Sequence, residues 1–529
     1  MVRLAVGVWI GNAAAVLSGR WGGVSRRARE VGCSRQTIYE HAEQVSQSVA
    51  QRQAGGPTRE ELIAENQQLR EENSHLREQW KDAILFPEDR QQEFVVTAVA
   101  MGLSLNMARQ LLALVIAMKV IGETTCPSRA KLGRWIQESS DRARRLLEVL
   151  NRRCQELVVV LCLDEIFLHR QPVLVGVEPQ SMCWVIGQRA EDRKGATWKK
   201  TLEPWKRLEY AVADAGSGLQ AGLSEIQRER QELGGQQLGV GLDVFHIKKE
   251  AVPLLARMWA EAEAVWVKAE EADRTVARCQ QQGQPAQGAA TRARTAWKDA
   301  TDMFAYASRV QGAWEQIEAA LAVYRPDGRL NDRAWATSQI TSALYYLPTN
   351  KGWPKVRRML TDPRTLAFLD RMHRQLKEAV PREDLREELL RLAWLRRQQW
   401  LSEEEASAAH YARLALLQQV VCRQLNAAWE DAYRRVAGIL AKTVRASSVV
   451  ECMNSVIRMH QARHRTLSQS LLDLKRLYWN CRTFLGGKRR GVCPYQRLGL
   501  DLPTYDWWAL LRMSPEELSE KLSTQELAV

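Results

Sequence analysis

The sequence has no pair of cysteines in CxxC spacing, no apolar run long enough to cross a bilayer and no phosphate-binding glycine signature of the Walker type. Its ten cysteines are scattered, which argues against a disulfide framework and suits a reducing cytosol. The apolar segment from Leu4 to Leu17 loosely resembles a signal peptide, but a first helix of the following domain is the simpler interpretation. We therefore expect a cytoplasmic protein with no membrane contact.

Positive charge is in excess over the whole chain. The 529 residues include 76 Lys and Arg against 62 Asp and Glu, giving a formal net charge of +14. With 45% hydrophobic residues, the chain can bury several cores, so we expect three or four folded domains. The charge favours a polyanionic partner such as nucleic acid.

Residues 1–50 contain a helix-turn-helix pattern, with a short helix, a turn at Gly32 and a second helix capped by Ser34. Ile38 would point inward. The side chains that would reach base edges and phosphates of double-stranded DNA are those of Arg35, Gln36 and Tyr39. An ordinary helical hairpin is the alternative interpretation.

A heptad repeat follows in residues 58–84, where Leu62, Leu69 and Leu76 are seven residues apart and alternate with Asn66 and Asn73. Leucine at one core position with asparagine at the other favours a parallel dimer in fixed register. We expect a short coiled coil and a homodimer or higher homo-oligomer; a single amphipathic surface helix is the alternative. Residues 88–150 predict further helices, either a second helix-turn-helix or a helical collar.

Buried strands ending in acids begin at about residue 155. The run from Glu156 to Leu163 is continuously apolar after its first residue and is followed by Asp164. Further strand-like runs are Val173–Val177, Met182–Gly187, Leu208–Ala213 and Leu238–Leu242, with a helix at Leu219–Leu233 before the last run. Asp214 and Asp243 directly follow the last two runs.

This order of strands and helix predicts a ribonuclease H-like mixed-sheet core, whose first part covers residues 155–246. The first and fourth strands would be neighbours, which brings Asp164 and Asp214 close together. Two carboxylates at one place favour Mg²⁺ or Mn²⁺, and two ions about 3.5 to 4 Å apart can serve phosphoryl displacement. For each acid taken singly, a helix cap or turn residue is the alternative.

Residues 247–440 predict a large α-helical domain inserted into this core. Most of its tryptophans are expected to pack between helices. Trp353 lies in a predicted loop, Lys351-Gly352-Trp353-Pro354, and is our candidate for stacking on a nucleobase.

Residues 441–500 form a basic region that would complete the core, before a tail at 501–529. Between Lys442 and Arg497 there are twelve Lys and Arg but only two acids, Glu451 and Asp473. Glu451 is therefore the candidate third metal ligand, with Asn454 and Arg458 on the same helical face; a salt-bridged helical Glu is the alternative. The other candidate DNA contacts are Arg463, Arg465, Lys488, Arg489 and Arg490.

His460 and His464 are spaced as two zinc ligands could be on a helix. No second pair accompanies them, and histidines beside arginines favour phosphate contacts.

The three acids Asp164, Asp214 and Glu451, with Arg458 after the Glu, resemble the catalytic set of transposases with a ribonuclease H-like fold, the aspartate-aspartate-glutamate class. The segment Asp243-Val-Phe-His246 is similar to a short motif of Mutator-like and hAT transposases, which also carry a helical insertion. The basic C-terminal segment resembles bacterial insertion-sequence transposases.

This resemblance implies an enzyme that binds the terminal inverted repeats of its mobile element, cuts DNA with divalent metal and joins 3′ ends to target DNA in the bacterial nucleoid. It also implies that His246 lies near the active site. Two alternatives stay open: a metal-dependent nuclease of the same fold without strand transfer, and a non-catalytic DNA-binding regulator derived from a transposase.

Overall fold

The computed structural model describes residues 6–53, 57–79, 86–118, 125–464 and 467–526. The chain divides into two compact units, one of Met1–Phe86 and Val115–Thr124 and the other of Pro87–Leu114 and Thr125–Val529. The described part is mostly helical and contains one mixed five-stranded sheet, so the predicted combination of helices with a mixed sheet is confirmed. None of the described helices is both long and apolar enough to cross a bilayer.

The first unit begins with four helices: α1 (Val6–Leu17), α2 (Gly23–Val31), α3 (Arg35–Gln53) and α4 (Arg59–Gln79). The turn predicted at Gly32 is present, and this glycine adopts a φ of 69°, which few other residues tolerate. Ser34 Oγ accepts a hydrogen bond from Thr37 N at 3.1 Å and caps α3, as predicted. Ile38 is fully buried, whereas the candidate DNA contacts Arg35, Gln36 and Tyr39 are exposed.

Helix α4 covers most of the predicted coiled coil; residues 80–84 lie outside the described residues. Thr58 and Glu61 form a reciprocal cap, in which Glu61 N donates to Thr58 Oγ1 at 3.2 Å and Thr58 N donates to the Glu61 carboxylate. The three leucines of the heptad repeat are all about half exposed within the chain. They are therefore available to a second helix.

The second unit starts with α5 (Glu88–Met101), α6 (Leu105–Ala117), which continues past the boundary of the unit, and α7 (Arg129–Leu157). Helix α7 begins after Ser128, whose Oγ accepts from Lys131 N at 3.2 Å. Its buried face includes Leu146, Leu150 and Cys154 and contacts a later helix, residues 469–481. This contact agrees with the helical-collar interpretation of residues 88–150, and the second helix-turn-helix stays a prediction.

The sheet consists of β1 (Val160–Leu168), β2 (Gln171–Glu178) and β3 (Cys183–Arg189), then β4 (Tyr210–Ala213) and β5 (Gly239–Leu242), with α8 (Gly195–Leu202) before β4 and α9 (Ser217–Glu232) after it. The strand order is β3-β2-β1-β4-β5. β2 is antiparallel to both of its neighbours, and β1, β4 and β5 run parallel. The predicted adjacency of the first and fourth strands is confirmed.

The boundaries predicted for the first strand are wrong. Glu156 and Leu157 finish α7, and β1 continues to Leu168, so Asp164 lies in the middle of the strand and not at its end. The error arises because a short apolar run has no periodicity that separates the end of a buried helix from a buried strand.

The insertion is all helical and starts at residue 244, three residues earlier than predicted. It comprises α10 (Val244–Gln281), α11 (Gln287–Ala320), α12 (Arg333–Leu344), α13 (Trp353–Thr361), a 3-10 turn (Pro363–Leu366), α14 (Ala367–Ala379), α15 (Glu383–Leu401), α16 (Glu405–Leu425) and α17 (Trp429–Lys442). These helices share a hydrophobic core separate from the core on the sheet.

Trp353 belongs to that helical core, so the prediction that it stacks on a base is wrong. It is the first residue of α13, and only 3% of it is exposed. Gly352, with a φ of 97°, turns the chain so that the indole points inward, where burial of a large aromatic side chain is favourable.

The chain then returns to the sheet with α18 (Ser448–Arg463), α19 (Gln469–Cys481), a 3-10 turn (Gly487–Arg489), α20 (Pro494–Leu498), α21 (Trp507–Arg512) and α22 (Pro515–Glu526). Val450, Met453 and Ile457 of α18 pack on the sheet beside Cys162 and Ile166 of β1.

Candidate metal centre

Asp164 lies on the face of the sheet that α18 covers. Successive side chains of a strand point to opposite faces, so Asp164 shares a face with Cys162 and Ile166. Only 6% of Asp164 is exposed. In the parallel pair of β1 and β4, Leu163 is opposite Ala213, which makes Asp164 and Asp214 the next residues along each strand.

Glu451 lies close to Asp164 because of the way α18 is oriented about its own axis, with one face turned to the sheet. Its buried residues recur every three to four positions, and this spacing leaves Glu451 at the edge of the buried face, with its side chain 15% exposed. One potential ligand atom from each of Asp164, His246 and Glu451 lies within 4.8 Å of the other two. We call these three residues, whose side chains could together hold a metal ion, the metal cluster.

Asn454 lies one turn after Glu451 and is completely buried. Its Nδ2 donates to Asp164 Oδ2 at 2.7 Å, which fixes the carboxylate against α18. Its Oδ1 is buried and has no hydrogen-bond partner among the described residues. A buried oxygen without a partner is costly, so this atom is consistent with a cation or water bound nearby.

Asp214 directly follows β4, as predicted, but it is not a member of the metal cluster. Its Oδ1 accepts from Gly216 N at 3.0 Å, a turn contact of the kind that the alternative interpretation describes. Its charge still acts on the cluster, because it contributes to raising the pKa of Asp164.

The pKa of Asp164 is raised to about 6, mainly because burial penalises the charged carboxylate. The charges of Asp214 and Glu451 act in the same direction, whereas the hydrogen bond from Glu165 N and the nearby His246 lower the pKa. A divalent cation bound here would be stabilised by the carboxylates of Asp164, Asp214 and Glu451 and would offset the repulsion between them.

Asp243 is a helix cap and not a member of the metal cluster. It follows β5 and caps α10, where its Oδ1 accepts from Phe245 N at 2.9 Å. His246 Nδ1 donates to Asp243 Oδ2 at 2.6 Å. Burial alone would raise the pKa of Asp243, but its hydrogen bonds from His246 and Ser447 hold that pKa below its ordinary value.

The Asp243 carboxylate also joins the two ends of the insertion. Asp243 precedes the first inserted helix, and Ser447 follows the last one. Ser447 N donates to Asp243 Oδ1 at 2.8 Å, and Ser447 Oγ donates to Asp243 Oδ2. Val244 N further donates to Arg445 O at 3.1 Å. These bonds, which we call the Asp243 clasp, hold the start of α18 against the end of β5 and so position Glu451.

Two cations accompany Glu451. Lys249 Nζ is 2.8 Å from Oε1, and Arg458 NH1 is 3.8 Å from Oε2. The prediction that Arg458 shares the face of Glu451 is confirmed. A salt-bridged Glu would make the same contacts, so these ion pairs do not by themselves select the metal-ligand interpretation.

His246 is close enough to the acids for its ionisation to be affected by them. Burial lowers its pKa, but the hydrogen bond to Asp243 and the charges of Asp243, Asp164 and Asp214 outweigh that effect and raise it.

Other candidate DNA contacts have varied surroundings. Arg490 is exposed, and Arg463 NH1 donates to Gly102 O at 3.4 Å. Arg489 is committed to the turn between β2 and β3, donating to the carbonyls of Gln180 and Pro179 at 3.0 Å each, so its expected role as an outward DNA contact is not supported. Arg465 and the Lys488 side chain lie outside the described residues.

His460 does not face phosphates, because it is buried against Lys475. Lys475 Nζ donates to Val99 O at 2.7 Å and contacts His460 Nδ1 at 3.1 Å and His464 Nε2 at 3.4 Å. Burial lowers the pKa of Lys475 to about 7 and that of His460 to about 3. The contacts of Lys475 with Val99 and His460 therefore join α5, α18 and α19 in the core.

Three residues were missed from the sequence: Lys249 and Ser447 beside the candidate site, and the buried Lys475 farther along the chain. Lys249 is three residues after His246, and that spacing could have placed it on the same helical face. Ser447 and Ser448 precede an apolar helical run, a signal for a helix start. No sequence signal separates the buried Lys475 from the basic side chains around it.

No family model matches this chain, and no curated protein or solved structure is significantly similar to it.

Proposed function

We propose that this protein is a DNA transposase of the aspartate-aspartate-glutamate class, with a ribonuclease H-like core that cuts the ends of its mobile element and joins 3′ ends to target DNA. The observation that carries the proposal is the convergence of Asp164 and Glu451, from distant parts of the chain, beside a mixed sheet of order β3-β2-β1-β4-β5. The sheet order and the helical insertion before Glu451 are both those expected for the proposed class.

The residues of the site fit divalent ions. Asp164 and Glu451 supply carboxylate oxygens, Asp214 adds charge from the adjacent strand, and Asn454 Oδ1 is a further buried oxygen without a partner. Mg²⁺ or Mn²⁺ bound here would activate an attacking oxygen and stabilise the leaving one.

The protein's own groups would hold the DNA. Arg458 is 56% exposed on its side chain and Lys249 is 49% exposed, so both can exchange the Glu451 carboxylate for a phosphate. In the other unit, Arg35, Gln36 and Tyr39 are exposed at the start of α3, where a recognition helix reads a major groove. The formal charge of +14 favours the approach of DNA.

The test is cleavage of DNA that carries the sequences flanking the coding region, with purified full-length protein and Mg²⁺ or Mn²⁺. We expect nicks that expose 3′ hydroxyls at the element ends and, with added target DNA, joined products. Asp164→Ala and Glu451→Ala should each lower nicking by at least about 1,000-fold while DNA binding persists.

Glu165→Gln is the matched control, because Glu165 is adjacent to Asp164 but contacts Arg193 and Trp198 on the opposite face of β1. It should cut like the wild type. Nicking without joined products would identify a nuclease, binding without nicking would identify a regulator, and equal nicking by Asp164→Ala would refute the assigned site.

A further inference from the structure

We propose that His246 is itself a ligand of the divalent ion, so that the centre binds metal through one imidazole nitrogen and the carboxylates of Asp164 and Glu451, an assignment that rests on the proposed metal-dependent function. The metal cluster is the geometric basis: one potential ligand atom from each of these residues lies within 4.8 Å of the others. Asp214, one of the three ligands that the sequence predicts, is not part of that cluster.

The surroundings of His246 select the nitrogen. Nδ1 is 2.6 Å from Asp243 Oδ2, and a carboxylate oxygen can only accept, so Nδ1 carries the proton of a neutral imidazole. Nε2 is then the nitrogen with a free lone pair. Histidines that bind metals commonly donate their other ring N–H to a carboxylate, which orients the ring and increases its basicity.

Asp243 is well suited to this orienting role because it is itself immobilised. It is 1% exposed, and it accepts hydrogen bonds from Phe245 N, Ser447 N and Ser447 Oγ. Asp243 is therefore a positioning residue: it fixes the imidazole of His246 and, through the Asp243 clasp, the helix that carries Glu451. Both effects converge on one metal centre.

The chemical consequence concerns the identity of the ion. Mg²⁺ prefers oxygen donors, whereas an imidazole nitrogen strengthens the binding of transition metals. This gain in affinity increases from Mn²⁺ to Co²⁺ and the later metals of the series. A centre of two carboxylates and one imidazole should thus favour Mn²⁺ over Mg²⁺ more strongly than a centre of three carboxylates. The same Asp243 contact would also suit a general base, so the decisive measurement is direct coordination.

The experiment is a titration of the metal-free full-length protein with Mn²⁺ alone, followed by electron paramagnetic resonance. Pulsed measurements detect hyperfine coupling from a directly bound imidazole nitrogen. We expect this coupling in the wild type and its loss in His246→Gln. The Mn²⁺ affinity should fall by at least about 10-fold, since even the loss of a residue that orients a ligand costs about 10- to 100-fold. His410→Gln is the control, because His410 is exposed on α16, and it should keep both the coupling and the affinity.

Absence of nitrogen coupling in Mn²⁺-loaded wild type, retention of coupling in His246→Gln, or failure of the wild type to bind Mn²⁺ would each overturn the assignment. Loss of DNA cutting in His246→Gln with unchanged Mn²⁺ binding would also overturn it, in favour of a general base. If the protein cuts DNA but shows no nitrogen coupling, the proposed function stands and His246 is not a ligand. If nitrogen coupling is present but the protein does not cut DNA, His246 is a ligand and the proposed function is contradicted.

Discussion

The surroundings of Lys475 differ strongly from those of an ordinary, exposed lysine. It is 1% exposed, and its ammonium contacts a backbone carbonyl and two histidines. Among the residues that the structure describes, no carboxylate pairs with it to offset the loss of hydration. Burial therefore favours the neutral amine, and the pKa falls from 10.5 to about 7.

This depressed pKa predicts a stability that rises with pH. Between about pH 7 and pH 10.5, the unfolded chain keeps a proton on Lys475 that the folded chain has released, so increasing pH favours the folded state. Relative to Lys475→Met, the wild type should gain about 2 kcal/mol of unfolding free energy between pH 7 and pH 9. Urea unfolding of both proteins at each pH measures this gain.

Lys200→Met, which removes an exposed lysine of α8, should follow the wild type at both pH values. A constant difference between the wild type and Lys475→Met across this range would show that Lys475 stays charged in the folded protein.

At the scale of elements, the position of α18 depends on the hydrogen bonds made at its first turn. Its body packs on the sheet through apolar residues, but its start is held by the Asp243 clasp at the point where the insertion rejoins the core. Helix ends carry unpaired backbone groups, and a buried carboxylate that accepts several hydrogen bonds there fixes the entry of the chain.

Asp243→Ala should therefore loosen α18 as well as destabilise the protein. It removes acceptors from Ser447 N, Phe245 N and His246 Nδ1, and we expect a loss of roughly 2 to 4 kcal/mol of unfolding free energy. Hydrogen exchange at residues 448–463 should accelerate, because the helix that carries Glu451 loses its anchor.

Asp332→Ala is a matched control. Asp332 also caps a helix, accepting from Trp335 N at 2.8 Å at the start of α12, inside the insertion. Asp332 also pairs with the largely buried Arg325, so its loss should cost at least about 1 kcal/mol, but it should leave exchange in α18 unchanged. Equal exchange of α18 in the wild type and in Asp243→Ala would argue against the clasp.

At the scale of the whole molecule, α4 indicates how two copies would meet. With Leu62, Leu69 and Leu76 at one heptad core position, Glu65 and Glu72 fall on one flank and Arg70 and Arg77 on the other. In a parallel pair, each Glu of one copy would lie opposite the Arg five residues later in the second copy, so the flanks attract.

We expect the protein in solution to have about twice the chain mass of 60.3 kDa, measured by light scattering. Leu69→Glu should yield monomers, because it buries a charge at the seam. Glu65→Lys with Glu72→Lys should weaken the dimer, and adding Arg70→Glu with Arg77→Glu should restore it. A wild type that stays monomeric at micromolar concentrations would favour the single surface helix.

Local features of the fold follow well from the sequence. The turn at Gly32, the cap by Ser34, the strand-like runs and the helical character of the insertion all depend on neighbouring residues, and all are present. The errors concern residues whose role depends on burial. Trp353 follows turn residues but packs inside, and His460 lies among arginines but faces a buried lysine.

The sequence by itself determined which acids stand out: Asp164 and Asp214, each directly after a buried apolar run, and Glu451 in a basic helix. The tertiary structure alone decided which groups meet. It brings His246 close to Asp164 and Glu451 and leaves Asp214 outside the metal cluster. Asp243 caps α10 and is not a member of that cluster. The physical reason is that local pattern sets the direction of a side chain along its own helix or strand. The distance between two side chains far apart in sequence depends instead on how those elements pack.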